Sequence, residues 1–299
     1  MSRLLAYAAF VAFCCLSSIR DVLSEIIFKH PQYEASPIFV LFVYSAITQL
    51  VACLWLLTTA VAAKEDASWL RGATNEILLL NVFTLAAFLF YFLAIQSPIG
   101  SAVNAFVDYG SGPIFTAIVA AIVVREPLTI RFAVSSVLSI AGLLVLEFPR
   151  LDADGISPVS LTGIALALLS SLFGALYQGY FKVLLQKGAA KSAIILLRLV
   201  GTTVVLGGIL FMRPDLFRSD LLLETALVGL IGFAAPLFLV LEVLQRVKLQ
   251  NFAVLLFLFP VLTLVISWAT GYAKIFQSDI AAAALLLIAI ILYERWKPR

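Results

Sequence analysis

Three ionisable residues interrupt the first long apolar stretch of the chain, in CCLSSIRDVLSEIIFKHP at residues 14–31. Arg20, Asp21 and Glu25 would lie inside a helix otherwise suited to lipid, and Asp21 and Glu25 are spaced to share one helix face. A charge at bilayer depth costs about 3 kcal/mol or more, so such residues normally face a cavity or pair with one another. The segment therefore predicts either a polar cavity that binds a solute or a buried ion pair that fixes helix packing.

A second acidic residue at comparable depth lies in the fourth apolar stretch of the chain. Asp108 follows Gly100 by eight residues, which places it about 12 Å from one predicted membrane boundary. Arg20 precedes Phe28 by eight residues and has the same depth from the same boundary. We therefore expect the polar half of the first helix to line an externally reachable cavity opposite the fourth helix. A structural pair, Arg20–Asp108 or Arg20–Asp21, is the alternative.

Other polar and aromatic side chains of the apolar stretches complete the candidate site. Arg198 lies seven residues into the seventh stretch, where it can bind an anionic group or simply reach back to the lipid headgroups. Glu25 is only three residues from the predicted boundary, so we expect it at the interface beside Lys29. The candidate substrate-binding residues are Arg20, Asp21, Asp108, Tyr109, Tyr177, Gln178 and Arg198.

Helix-breaking residues mark two of the apolar stretches. Gly110, Gly112 and Pro113 cluster near mid-bilayer in the fourth stretch, and Pro260 lies about 14 Å into the ninth. Proline removes a backbone hydrogen bond, and freed backbone groups in lipid require protein or a water-filled cavity. We expect helix breaks at these places that line the substrate cavity. The alternative is the ordinary enrichment of Gly and Pro in membrane helices.

The elements that must position these residues are membrane-spanning helices. The chain is 63% hydrophobic and 12% charged, whereas a soluble domain carries about a quarter charged residues. Crossing about 30 Å of hydrocarbon takes about 20 helical residues. The apolar windows of that length predict an all-α membrane protein with ten transmembrane helices, at residues 4–28, 37–61, 77–96, 100–124, 128–148, 160–185, 191–212, 221–243, 251–272 and 278–296.

An internal repeat organises the ten helices. LSSIRDVLSEIIFK at 16–29 and LSSLFGALYQGYFK at 169–182 share Leu-Ser-Ser, a central Leu and a final Phe-Lys, and they pair the first helix with the sixth. Because five helices is an odd number, the second half must enter the membrane with the opposite orientation. The pattern predicts an inverted 5+5 repeat, with residues 1–150 and 156–299 as its halves. Transporters with this architecture bind substrate between the halves near the midplane.

The loop charges predict the orientation. With Arg20 set aside as intramembrane, fourteen lysines and arginines fall on the side of the termini and five on the other. The positive-inside rule therefore places both termini in the cytoplasm. Compact loops without sorting signals favour a bacterial inner membrane.

Two stretches carry a family resemblance. PIFTAIVAAIVVREPLTIRFAVSSVLSIAGLLVLEF at 113–148 resembles the EamA-type transporters of the drug/metabolite transporter superfamily, in which a Glu-containing turn follows the fourth helix and a small-residue helix comes next. ALALLSSLFGALYQGYFKVLLQK at 165–187 resembles the sixth helix of that family. The resemblance covers the full length, and it implies movement of a small metabolite or drug by alternating access, often outward.

The residues at depth suggest the solute. Cationic and anionic groups together indicate a zwitterion, such as an amino acid or a similar amphipathic metabolite. An organophosphate or nucleotide-sugar exchanger that uses Arg20 and Arg198 as anion clamps is the alternative. A channel and an intramembrane enzyme remain further alternatives, although the loops are short for an enzyme.

Other partners follow from what the sequence holds. One histidine, His30, with no Cys or carboxylate cluster beside it, argues against a metal site, and we find no nucleotide-binding loop. We therefore expect no cofactor, no enzymatic activity and no nucleic acid. The predicted partners are the solute, membrane lipids and, if transport is coupled, protons carried by Asp21 or Asp108. The oligomeric state is open.

Overall fold

The computed structural model describes residues 3–62, 72–154, 158–271 and 276–295, and all regular structure in these ranges is helical. The α-helices are α1 (Arg3–Lys29), α2 (Pro37–Ala62), α3 (Thr74–Gln96), α4 (Gly100–Val119), α5 (Ile130–Asp154), α6 (Pro158–Gln186), α7 (Lys191–Met212), α8 (Leu222–Gly229), α9 (Ala235–Arg246), α10 (Leu249–Leu255), α11 (Leu258–Ala269) and α12 (Gln277–Arg295).

These helices form ten rods within the described ranges. A π-helical turn, Leu230–Ala234, joins α8 to α9 as span 8, and residues 256–257 join α10 to α11 as span 9. Eight rods are long and apolar enough to cross a membrane, and the apolar part of α5 is shorter, at Ile130–Gly142. The predicted all-α membrane fold is confirmed.

The rods pack in pairs that correspond between the two halves of the chain. α3 packs on α6, and span 8 packs correspondingly on α1; α4 packs on α6, and α11 on α1. α2 packs on α7 and α5 on α12. If rods 1 to 5 are exchanged with rods 6 to 10 in order, each packing pair therefore maps onto another pair or onto itself. This is what an inverted repeat requires, although the orientation of the halves in a membrane stays a prediction.

The Leu-Ser-Ser repeat lies at equivalent contacts of the two halves. The Ser18 hydroxyl on α1 donates to the Phe259 carbonyl of span 9 at 3.4 Å. The Ser171 hydroxyl on α6 donates to the Asp108 carbonyl of α4 at 2.6 Å. In each half, the second serine of the Leu-Ser-Ser segment lies on the first helix. It forms a hydrogen bond with the fourth rod of the other half.

The predicted break in the fourth helix is wrong. α4 runs without interruption through Gly110, Gly112 and Pro113. Side chains supply the hydrogen bonds that the carbonyls of this turn need: Ser171 donates to the Asp108 carbonyl, and Ser139 to the Gly110 carbonyl. Pro113 removes the N–H that would bond the Tyr109 carbonyl, and the carbonyls on both sides of Tyr109 are tied to neighbouring helices, while α4 continues without unwinding. The helix changes instead to a π-helix further on, at Ala120–Val124.

The ninth rod is interrupted as expected. α10 ends at Leu255, α11 begins at Leu258, and Pro260 lies in the first turn of α11. The Ser18 hydroxyl and the Thr263 hydroxyl both donate to the Phe259 carbonyl beside the proline. Pro260 itself is buried and does not line the cavity described below.

The π-helical turn of span 8 brings backbone close to α1, and this contact yields a stability prediction. A Cβ added at Gly232 would lie 2.5 Å from the Cβ of Arg20. Gly232→Ala should therefore push span 8 away from α1 and lower the melting temperature in detergent by several degrees. Gly208→Ala is the matched control, because a Cβ there meets nothing within 4 Å. It should be neutral or stabilising, since alanine is the better helix former. Equal melting temperatures for the two variants would contradict the prediction.

Candidate substrate cavity

A cavity of about 810 Å³, including space open to solvent, lies among α1, α3, α4, α6 and the two interrupted rods, spans 8 and 9. It therefore lies between the halves, where the sequence predicts the substrate site. Aromatic rings, small residues and a few polar side chains form its lining. Six predicted site residues are among them: Arg20, Asp108, Tyr109, Gly112, Tyr177 and Gln178.

Four polar lining residues share one depth. We call the end of the bundle at which α1 begins the N-terminal face. Counted along their helices from this face, four residues lie sixteen or seventeen positions deep, about 25 Å: Arg20, Tyr91, Asp108 and Ser170. We call them the polar floor. The remaining lining residues lie at similar or lesser depth, so the cavity occupies the part of the bundle between this floor and the N-terminal face.

Of the polar half of α1, which was expected to line the cavity, Arg20 does so, whereas Glu25 does not. The Glu25 carboxylate accepts hydrogen bonds from the backbone N–H, at 2.9 Å, and the hydroxyl of Ser101 at the start of α4, and it pairs with Lys29 at 2.9 Å. A helix N-terminus carries unsatisfied N–H groups and a positive dipole, so it attracts a carboxylate. Glu25 is therefore a contact between α1 and α4 beyond the floor, and it does not line the cavity.

Arg20 is held by its sequence neighbour. Its Nε and Nη2 donate to one carboxylate oxygen of Asp21 at 2.8 and 2.6 Å, and the Tyr91 hydroxyl donates to the other oxygen. Arg20 is 5% exposed and Asp21 is fully buried. Of the two pairs predicted as alternatives to a binding role, Arg20–Asp21 is present and Arg20–Asp108 is not. Asp21 therefore supports the cavity wall without lining it, while Arg20 reaches the cavity with its charge largely compensated.

Asp108 has no cationic partner among the described residues. It is 8% exposed, lines the cavity, and its Oδ1 atom makes no hydrogen bond to any described residue. The Ser170 side chain forms a hydrogen bond with this carboxylate. A buried carboxylate without a counter-charge is costly, so the site favours a ligand that brings a positive charge or a further hydrogen-bond donor.

Aromatic side chains surround this carboxylate. The Tyr109 ring lies 4.3 Å from that of Phe259 and 6.5 Å from that of Tyr91. On the opposite wall, the Tyr177 ring stacks on Phe88 at 5.8 Å. Rings of this kind offer their faces to apolar groups and to cations. The cavity is therefore suited to an amphipathic solute.

Arg198 is fully buried and does not line the cavity. Its guanidinium carbon lies over the rings of Phe88, Tyr177 and Phe181, at 5.3, 4.7 and 4.5 Å from their centroids. Snorkelling toward the headgroups, one of the two roles considered for it, is thus wrong. The anion clamp of the alternative exchanger is not assembled either, because Arg20 is occupied by Asp21.

Some lining residues carry no sequence signal. Phe88 and Phe233 come from stretches rich in phenylalanine, where the pattern does not separate cavity rings from core rings. Tyr91 is a single polar point on an apolar helix, a pattern that indicates only an interhelical hydrogen bond; it donates to Asp21 and also lines the cavity. The Leu-Ser-Ser repeat did carry a signal, since Ser17, Ser170 and Ser171 all reach the lining.

Helical rods around a central cavity with a largely aromatic lining give the chain the architecture of a multi-pass membrane protein, and solved structures share the fold. One solved chain, described only as "Crystal structure of protein", aligns with a TM-score of 0.74 at 17% sequence identity and covers 98% of both chains. At this identity the likeness shows the fold alone. The comparison with curated proteins gave no match.

A match to a protein family covers most of the second half of the sequence. Residues 161–294 match the EamA-like transporter family, a range that extends from α6 into α12. The chain therefore carries an EamA-like transporter domain in its second half, and the apolar helices make it a multi-pass integral membrane protein. The predicted resemblance is confirmed for the second half, which contains the stretch 165–187, whereas the stretch 113–148 lies outside the matched range.

Proposed function

We propose that the chain is a secondary transporter that moves a small zwitterionic or amphipathic organic solute, such as an amino acid, by alternating access between its two halves. The direction implied by the family resemblance is export, from a cytoplasm that holds both termini, across a bacterial inner membrane. Asp108 is the observation that carries the proposal. It is a buried carboxylate at the floor of a cavity between the halves, with no cationic partner among the described residues and with one oxygen that makes no hydrogen bond to them.

The chemistry of the cavity favours a solute with a cationic end. An ammonium group on Asp108 supplies the missing hydrogen-bond donors and the missing counter-charge in one contact. Tyr91 and Tyr109 place their rings near this position, where cation–π attraction adds to the ion pair. Phe88, Tyr177 and Phe233 then offer apolar faces to the remainder of the solute.

Contacts at the two ends of the bundle support alternating access. Beyond the floor, Glu25 ties α1 to the start of α4. Near the N-terminal face, Glu126 accepts from the backbone N–H of Leu249 at the start of α10, and Lys182 of α6 donates to the carbonyls of Leu244 and Val247. The fourth and ninth rods, which correspond between the halves, are each held at their N-terminus by a glutamate. Both sets of contacts are formed in this conformation, and breaking one set while the other stays formed would expose the cavity to one side at a time.

Counterflow in liposomes tests the proposed function. Purified protein in liposomes loaded with unlabelled L-phenylalanine should take up labelled L-phenylalanine above its equilibrium level, and uptake should saturate. Phenylalanine is the probe because its ring suits the aromatic lining and its ammonium suits Asp108. Protein-free liposomes provide the control. Flux that neither saturates nor shows counterflow would indicate a channel and would reject alternating access.

A further inference from the structure

Arg198 is an unpaired cation in the interior of the protein. It is 0% exposed, and its Nε, Nη1 and Nη2 atoms have no hydrogen-bond partner among the described residues. It also forms no ion pair within the part of the chain that the structure describes. A guanidinium carries five N–H donors and does not lose its charge in proteins, so a buried one without acceptors is strongly unfavourable. Some other group is therefore expected to satisfy it during the protein's working cycle.

The three rings around Arg198 do not fill this need. Phe88, Tyr177 and Phe181 attract the guanidinium through their π faces. Cation–π contacts compensate part of the charge, but they accept none of its in-plane hydrogen bonds. The Tyr177 side chain lies near enough to compensate the guanidinium weakly, but no N–H of the fork has an acceptor in hydrogen-bonding geometry among the described residues. The fork matches a carboxylate bidentately.

Only an aromatic wall separates Arg198 from the cavity. Phe88 and Tyr177 both line the cavity and both lie over the guanidinium, and their own rings are stacked. Gly174 lies one turn before Tyr177, and a Cβ there would meet only the Tyr177 ring within 4 Å, at 4.0 Å. This leaves space beside the ring, so a rotation of Tyr177 would connect Arg198 to the cavity.

We infer that Arg198 is a gated anion-binding site that takes the carboxylate of the transported solute, closed in this conformation by the ring of Tyr177 on Phe88. Arg198 lies seven residues from the start of α7 at Lys191, about 10 Å from the N-terminal face, whereas Asp108 lies at the floor. The two unpaired charges are thus staggered along the bundle. The inference rests on the proposed function, because it assigns the anionic end of a solute whose cationic end meets Asp108.

A binding experiment tests this site without depending on transport. The probes are 3-phenylpropionate, which carries a ring and a carboxylate, and 3-phenylpropan-1-ol, in which a hydroxyl replaces the carboxylate. We expect 3-phenylpropionate to raise the melting temperature of the wild-type protein and the alcohol not to do so. Arg198→Met should weaken 3-phenylpropionate binding at least tenfold. Arg198→Lys, which keeps the charge but not the fork, should show an intermediate loss. The control is Arg213→Met, which removes an exposed guanidinium paired with Asp215.

The melting temperature without ligand separates binding from structure. Arg198→Met should keep or raise the melting temperature, because the substitution breaks no ion pair and no hydrogen bond in good geometry with the described residues and removes a buried charge. A marked drop would show that the guanidinium fixes packing and would overturn the inference. Unchanged 3-phenylpropionate binding in Arg198→Met would also overturn it, by placing the anion at Arg20 or elsewhere, as would the absence of any effect on the wild type. If the carboxylate binds as expected but counterflow fails, the site stands and the proposed transport function falls.

Discussion

Replacing Asp21 with asparagine should destabilise the protein more than any other single change at the cavity. Asp21 holds Arg20 through two hydrogen bonds, and both side chains are buried. Removing one partner of a buried pair leaves the other charge uncompensated, which typically costs about 3–5 kcal/mol. Asparagine retains an acceptor for the Tyr91 hydroxyl, so the loss reports on the charge of Arg20. Thermal unfolding in detergent, with poor recovery of folded protein as a second sign, would measure it.

A double variant distinguishes this pair from a general sensitivity of α1. Arg20→Met and Asp21→Asn should each lower the melting temperature, whereas the combination should recover most of the loss, because no charge is then left unpaired. Asp215→Asn serves as the control, since the Arg213–Asp215 pair is exposed on both sides and exposed pairs contribute little. A double variant as weak as the sum of the singles would show that Arg20 and Asp21 are not coupled.

The behaviour of Arg20 shows what the sequence can predict at such a site. The cost of burying charge predicts that Arg20 and Asp108 lie at one depth beside a cavity, and both line it. The sequence leaves the partner of Arg20 open between Asp21 and Asp108, and the structure has Asp21. Adjacent helix positions point in different directions, so i,i+1 pairs are not expected to meet. The long arginine side chain nevertheless reaches Asp21, and only packing against Tyr91, Phe92 and Phe233 decides this.

The proline of α4 and the arginine of α7 show a related limit. Pro113 predicts a break from its missing N–H, but the helix continues, and serines on α5 and α6 hold the carbonyls on both sides of the one that the proline frees. The sequence supports anion binding and a reach to the headgroups equally for Arg198, because the rings around it belong to other helices, α3 and α6. Helix bounds, in contrast, follow from local apolarity, and the ten predicted windows overlap the ten rods. Local patterns thus predict the rods, while contacts between rods decide the site.

The second large effect concerns Asp108. Asp108→Asn should leave the melting temperature unchanged or raised, since the carboxylate has no cationic partner among the described residues and one of its oxygens is unpartnered. The same change should reduce uptake of L-phenylalanine at least a hundredfold, because the amide offers the ammonium no counter-charge at the floor of the cavity. Asp108→Glu, which keeps the charge but moves it, should retain part of the uptake. Asp220→Asn, at an exposed pair with Arg218, is the control and should transport normally.

The choice of assay decides whether Asp108 binds the solute or only carries a proton. Counterflow exchanges labelled for unlabelled solute and needs no proton gradient, whereas uphill uptake in a coupled transporter does. A carboxylate that only carries protons would be dispensable for counterflow, and its asparagine variant would lose uphill uptake alone. We expect Asp108→Asn to lose both, because an ammonium bound by Asp108 must be released and rebound in either assay. Retained counterflow in a folded Asp108→Asn protein would contradict the binding role and leave proton transfer as its function.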